Sequence, residues 1–186
     1  MANIEVIDYE DSTGRLKEIY DDLIRHRGKL AEVHKIQSLN PETIVNHMDL
    51  YISLMFGKSP LKRYQREMIA VVVSKENQCK YCVMHHAEAV NHFWKDEEKC
   101  QRLILDFETA GLRDKDIALC HYAQKLTSAP GAANDQDLTR LLKEVGFDDR
   151  AILDATMIVA YFNFVNRIVL ALDVELETEH SGYNYE

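Results

Sequence analysis

The stretch Lys62-Arg63-Tyr64-Gln65-Arg66-Glu67-Met68-Ile69-Ala70-Val71-Val72-Val73 decides the fold class. Its second half is short, apolar and β-branched, and alone it would suit a buried strand. Lys62 to Glu67, however, leads into it at helical period with no turn residue between, and Leu61, Tyr64, Met68, Val71 and Val72 fall at helical spacing. A helix is therefore expected from the start signal Ser59-Pro60 up to Ser74. The same reading extends outward in both directions. Leu16, Ile19, Tyr20 and Leu23 form one amphipathic face over Ser12 to Arg27, and a shorter pattern spans Leu30 to Leu39. Asn40-Pro41, with Asn as cap and Pro at the first helical position, opens a helix that reaches Phe56 before Gly57. Beyond the break at Ser74 to Asn77, with Asn77 as the expected cap, helical patterns cover Gln78 to Trp94, Glu97 to Thr109, Lys115 to Ser128 and Asp135 to Val145. Asp148-Asp149 then opens a long apolar helix ending near Leu172.

No segment alternates as a sheet strand would, and no repeat of fixed period is visible. Pro130 to Asn134 is too short for a domain linker. The expectation is all-α: one domain over residues 1–186, with its core at about 10–176 and the apolar helices at about 61–73 and 150–172 dominating it. The tail from Glu175 is acidic and polar and is expected to fray, leaving 177–186 outside the core.

Composition narrows the function classes. Hydrophobic residues make up 46% of 186, with only 3 prolines and 7 glycines, which favours an ordered helical globule over disorder. The net charge of -9, a pI near 5.4 and the lack of any Lys/Arg stripe disfavour nucleic acid and anionic membrane surfaces as partners. The N-terminus has no signal-peptide pattern, and no run of about 18 apolar residues is expected to span a bilayer. A cytoplasmic protein is expected. In that reducing compartment a C-x-x-C is catalytic or metal-binding rather than a permanent bridge.

Such a motif stands at Cys79-Lys80-Tyr81-Cys82-Val83-Met84-His85-His86. On a helix, Cys79, Cys82 and His86 share a face, so two thiols and an imidazole point the same way. A thiol needs a base or a positive field to become a thiolate, and a second thiol turns its oxidised product into a reversible disulfide. The helix start favours Cys79 as the thiolate, whereas a base one turn on favours Cys82; the spacing leaves both open. Zinc could use Cys79, Cys82, His86 and one further ligand, but the second ligand pair of a structural site is missing from the sequence. A thioredoxin fold would need strands around the motif. His85 lies about 100° from His86 around the helix and reads as a surface or interface residue. His92 reads as solvated, Phe93 and Trp94 as packing, and Cys100 and Cys120 as small buried hydrophobes. Glu67 has two readings: a surface ion pair with Arg63 or Arg66, or a carboxylate that crosses from the preceding helix to orient His86.

Glu67, Cys79 twelve positions later, Cys82 and His86 together resemble the alkylhydroperoxidase D-like branch of the carboxymuconolactone decarboxylase superfamily. The stretches Arg66 to Ser74, Tyr81 to His86 and Ala160 to Arg167 are similar to its peroxidase-related group. The resemblance covers about Glu10 to Leu176. It implies an all-helical fold, homo-oligomers and a peroxide- or disulfide-reducing dithiol. It assigns Cys82 as the peroxidatic thiol, Cys79 as the resolving one, and Glu67 with His86 as a proton relay. Tyr81 stands where a well-studied member has histidine, and is an auxiliary candidate. The decarboxylase branch lacks the cysteine pair. The implied protein is an antioxidant enzyme that reduces a hydroperoxide and is recycled by a lipoamide- or thioredoxin-like dithiol, with no cofactor. The alternatives are a thiol–disulfide oxidoreductase and a non-enzymatic redox-sensing or zinc-stabilised helical protein.

Overall fold

In the computed structural model, which describes residues 2–132, 136–177 and 183, the decisive stretch is helical throughout. It belongs to α4 (Arg63–Glu76), in which residues 65–74 are all buried. A helix buried on every side must be surrounded by others. Here α5 (Lys80–Trp94), α7 (Asp114–Ser128) and α9 (Asp149–Ala171) pack around α4, with α6 (Glu97–Leu105) also in contact. Met68, Ile69 and Val71 are fully inaccessible, and their packing outweighs the few tenths of a kcal/mol by which β-branched residues disfavour a helix. Before α4 come α1 (Gly14–Arg27), the four-residue α2 (Glu32–Lys35) and α3 (Pro41–Met55); α8 (Gln136–Glu144) links α7 to α9. Leu16, Ile19, Tyr20 and Leu23 of α1 close a second cluster with Ile44 and Met48 of α3. Among the described residues there is no strand, and the helices pack as one compact all-α domain.

Several boundaries differ from the sequence expectation, each for a local reason. Helix α4 begins at Arg63 rather than at Pro60, because the Ser59 hydroxyl is engaged with Asp154 (2.6 Å) and with the Leu61 amide. It runs on to Glu76, so Asn77 closes α4 instead of capping α5. The chain then reverses at Gln78 with φ at 58°, and Cys79 itself occupies the position before α5. The pattern from Glu97 breaks at Asp106 into α6 and a 3-10 turn, Phe107–Thr109. Asp148 does open α9, its carboxylate accepting the Ala151 amide at 2.8 Å. Asp135 and residues 178–182 and 184–186 of the expected tail lie outside the described residues.

The last helix and the tail complete the domain. Helix α9 is long and apolar enough, by length and composition alone, to cross a membrane. In the fold it is a core helix on one side, with Ile158, Phe162 and Asn166 buried, while Leu153, Met157 and Phe164 are 56%, 41% and 49% exposed along the other. The tail does not leave the domain at Glu175: Val174 and Leu176 pack against the core, and Glu177 reaches the site described next.

Candidate active site

The tight reversal between α4 and α5 sets two helices antiparallel, so Glu67, well inside α4, faces His86 in α5. Glu67 Oε2 lies 2.6 Å from His86 Nδ1, and Glu67 Oε1 accepts from the Arg63 guanidinium at 2.8 Å. The carboxylate is 1% exposed. Burial alone would push Glu67 up, but the bond and charge of His86, then those of Arg63, outweigh it and hold the carboxyl below its ordinary range. An ionised carboxylate only accepts, so His86 donates Nδ1–H to it. Phe162 fixes the ring from the side, edge-on at 4.4 Å between centroids. The surface ion-pair reading of Glu67 is thus corrected: its partner is Arg63, but the pair is buried, and the second carboxylate oxygen meets His86.

Cys79 and Cys82 are free thiols, both buried, three residues apart where α5 begins. Their coupling lets the pair lose one proton easily and a second one hardly at all. The Cys82 hydrogen bond holds Cys79 below the usual thiol range, and the same bond, with burial, pushes Cys82 well above it. Asn166 opposes that rise by bonding to Cys82. This asparagine is itself fully buried and tied to Ser74 (3.1 Å) and Asn77 (3.0 Å), so α9 braces the α4–α5 corner. The electrostatics thus favour Cys79 as the resting anion, whereas Cys82 and not Cys79 lines the adjacent cavity.

The cavity is partly open to solvent. Glu67, Cys82 and His86 line it, as do His85, His47 and Tyr161. His85 corrects the surface reading. At about 100° per residue, positions three and four beyond Cys82 fall at about −60° and +40°, so His85 and His86 flank the thiol. His85 Nε2 bonds to Glu177 Oε2 at 2.8 Å, and its ring stacks on Tyr81 at 4.5 Å. Tyr81, turned from the thiols, donates to Glu177 Oε1 at 2.7 Å and accepts the Val33 amide at 3.3 Å. Burial and then the Glu177 charge drive the Tyr81 hydroxyl far above its ordinary value, so it stays protonated. Burial would raise Glu177, but bonds from His85, the Glu32 amide and Tyr81 bring it down to about 2.

On the opposite wall, His47 of α3 sits between Gln37 (Nε2 to Nδ1, 2.8 Å) and the Tyr161 hydroxyl (2.6 Å). Burial lowers His47 to about 4, and burial with the nearby His47 lowers His34 to about 3. Sequence reasoning missed both, although His47 lies on the stripe of Ile44 and Met48, where a buried polar residue calls for a partner. It missed Glu177 because nothing local marks a carboxylate whose partners are 92 and 96 residues away. Cys100 and Cys120 are buried away from the site, His92 is exposed, and Trp94 packs at 6.1 Å from Tyr64. Among the described residues no three His, Cys, Asp or Glu side chains converge where they could hold a metal ion.

This helical domain, with its buried Glu67–His86 pair beside Cys82, is similar in fold to several solved structures. A peroxidase-related protein from Silicibacter sp. TM1040 shares 29% identity, with a TM-score of 0.82 over 91% of this chain and 88% of that one. A peroxidase-related protein from Ralstonia eutropha JMP134, described as an alkylhydroperoxidase AhpD core, superposes with a TM-score of 0.86 at 22% identity, covering 96% and 94%. The debrominase Bmp8 has the same fold, with a TM-score of 0.77 at 20% identity over 93% and 91%. No protein-family model matches the sequence. The chain shares the fold of these peroxidase-related and alkylhydroperoxidase AhpD-core structures, the fold that the resemblance in its sequence implies.

Proposed function

We propose that the protein is a peroxidase-type antioxidant enzyme that reduces hydroperoxides through Cys82 and Cys79. The observation that carries this reading is the opening of Cys82 into a cavity that also holds His86, itself fixed by Glu67, with Cys79 three residues before it. His86 Nε2 takes one proton from the thiol pair, and the charge is shared between the two sulfurs. The Cys82 sulfur attacks the terminal oxygen of R–O–O–H while Cys79 keeps its proton. An S–O bond forms, the O–O bond breaks, and the leaving alkoxide takes the proton back from His86, giving Cys82–SOH and ROH. The Cys79 thiol then condenses with the sulfenic acid to a disulfide and water. An external dithiol, lipoamide- or thioredoxin-like, restores the pair by exchange. Sulfur carries both electrons, so these steps need no cofactor. A cytosolic setting suits this cycle, and the exposed stripe of Leu153, Met157 and Phe164 suits a homo-oligomer.

The test is consumption of alkyl hydroperoxide in an assay coupled to pyridine-nucleotide oxidation, with lipoamide, thioredoxin and glutaredoxin as competing donors. Reduced protein that leaves the hydroperoxide intact and gains no oxygen at Cys82 by mass spectrometry defeats the reading. Bmp8 motivates a second reading, because the aromatic rings of Tyr161 and Phe162 in the cavity suit a small aromatic substrate. The same dithiol could reduce a bromoarene to arene and HBr while becoming a disulfide. Bromide release from a brominated pyrrole, without peroxide turnover, would favour it.

A further inference from the structure

The hydrogen bonds behind Tyr161 run in one direction only. A carbonyl oxygen cannot donate, so the Gln37 group 2.8 Å from the Val33 oxygen is Nε2, a donor. The same nitrogen lies 2.8 Å from His47 Nδ1, which receives its second hydrogen and is therefore the bare ring nitrogen. His47 is buried, and burial keeps it neutral near pH 7, so its single proton sits on Nε2. That N–H donates to the Tyr161 oxygen at 2.6 Å. The Tyr161 hydrogen cannot then return to His47. It is offered elsewhere, from a side chain that lines the same cavity as Cys82 and His86.

We propose that Tyr161 donates this hydrogen bond to the leaving oxygen of the hydroperoxide while Cys82 attacks the terminal oxygen, with Gln37 and His47 as positioning residues that fix its direction. The proposal rests on the peroxidase reading above. In that step the S–O bond forms, the electron pair of the O–O bond collects on the alkoxide oxygen, and His86 supplies the proton. Tyr161 keeps its own proton and stabilises the charge as it develops. A donor oriented in advance acts on the transition state more than on the ground state, and losing one such donor slows catalysis by about 10²- to 10³-fold. The backbone carbonyl of Val33 anchors the chain, so its direction survives substrate exchange.

The test compares wild type with Tyr161→Phe as full-length reduced protein, using three reagents. The leaving oxygen of tert-butyl hydroperoxide is strongly basic, that of peracetic acid is a stable carboxylate, and iodoacetamide has no leaving oxygen. Tyr161→Phe should slow Cys82 oxidation by tert-butyl hydroperoxide about 10²- to 10³-fold, slow peracetic acid far less, and leave alkylation unchanged. Equal slowing with all three reagents would mean that the ring only packs, and overturns the proposal. His47→Leu should show the same selectivity with a smaller loss. Nitrogen NMR of the imidazoles at neutral pH gives a reading independent of activity: the Nε2–H tautomer at His47 is expected, and Nδ1–H overturns the chain. Wild-type protein with the expected tautomer that reacts with neither peroxide refutes the peroxidase reading, and with it the leaving oxygen as acceptor.

Discussion

Replacing Glu67 by glutamine keeps the side chain's volume and one acceptor but removes the charge that His86 and Arg63 share. The histidine then loses a charge-assisted bond of 2.6 Å at a site 1% exposed. Hydrogen bonds to charged groups contribute about 1.5–3 kcal/mol. If that bond supports the step in which His86 holds the proton of the thiol pair, Cys82 oxidation slows by about ten- to two-hundredfold, at 1.36 kcal/mol per decade. Stability should fall as well. Arg63 keeps its guanidinium over the Phe56 ring, 4.2 Å from the centroid, which softens the loss of its ion pair. Losing the Glu67 charge still costs about 1–3 kcal/mol. The decisive assay is single-turnover oxidation of Cys82 by quench-flow mass spectrometry, with iodoacetamide alkylation at pH 7 and a urea titration on the same samples. Both Cys82 reactions should slow in protein that remains folded. An early urea midpoint with unchanged Cys82 reactivity in the folded fraction would refute the reasoning and leave Glu67 as an ion-pair residue.

Cys82→Ser should abolish peroxide consumption, whereas Cys79→Ser should trap a sulfenic acid at Cys82. Probe labelling of Cys79 in the Cys82→Ser protein would show instead that the more acidic thiol is also the reactive one. The folded protein refuses protons that unfolded histidines take up near pH 6.5, because His47 and His34 are lowered to about 4 and about 3. Stability should thus decline as pH falls from about 6.5 towards 4, with the urea midpoint as readout and His34→Leu flattening the slope. Glu177, lowered from 4.5 to about 2, gives stability that is complete above about 4.5 and lost as pH falls through the folded value. Glu177→Ala should speed amide exchange at Glu32 and Val33 by about 5- to 30-fold, the equivalent of a lost cap of about 1–2 kcal/mol.

The parts of the site that were legible in the sequence are those made by local period. Cys82 and His86 share a face because four residues make about one turn, and Glu67 faces them because a reversal of three residues folds one helix onto the next. The helical state of Met68 to Val73 was legible for the same reason: the residues before it fixed the period. What escaped is long-range or hangs on hydrogen-bond direction. Gln78 takes a left-handed backbone although nothing in Asn77-Gln78-Cys79 announces it, so the residue before α5 is Cys79, two beyond the expected Asn77. His85 is about 100° from His86 but only about 60° from Cys82, and only the second angle places it beside the thiol. Glu177 looked like one more acidic residue in a polar tail, since its meaning depends on Tyr81 and His85 arriving from elsewhere.

Glu177 also changes how α2 must be understood. Ala31 precedes that helix and has no side chain to cap it, and four residues are too few to hold a helix unaided. The Glu32 amide is instead met by Glu177 at 2.8 Å, and the Val33 amide by Tyr81, the side chain that Glu177 also holds. Val33 in turn supplies the carbonyl that orients Gln37. During synthesis, therefore, one wall of the cavity waits for a carboxylate made 145 residues later, and the two thiols are translated long before the chamber around them can close. For a newly made chain, this leaves an interval in which the cysteines exist without their enclosure, open to any oxidant large or small.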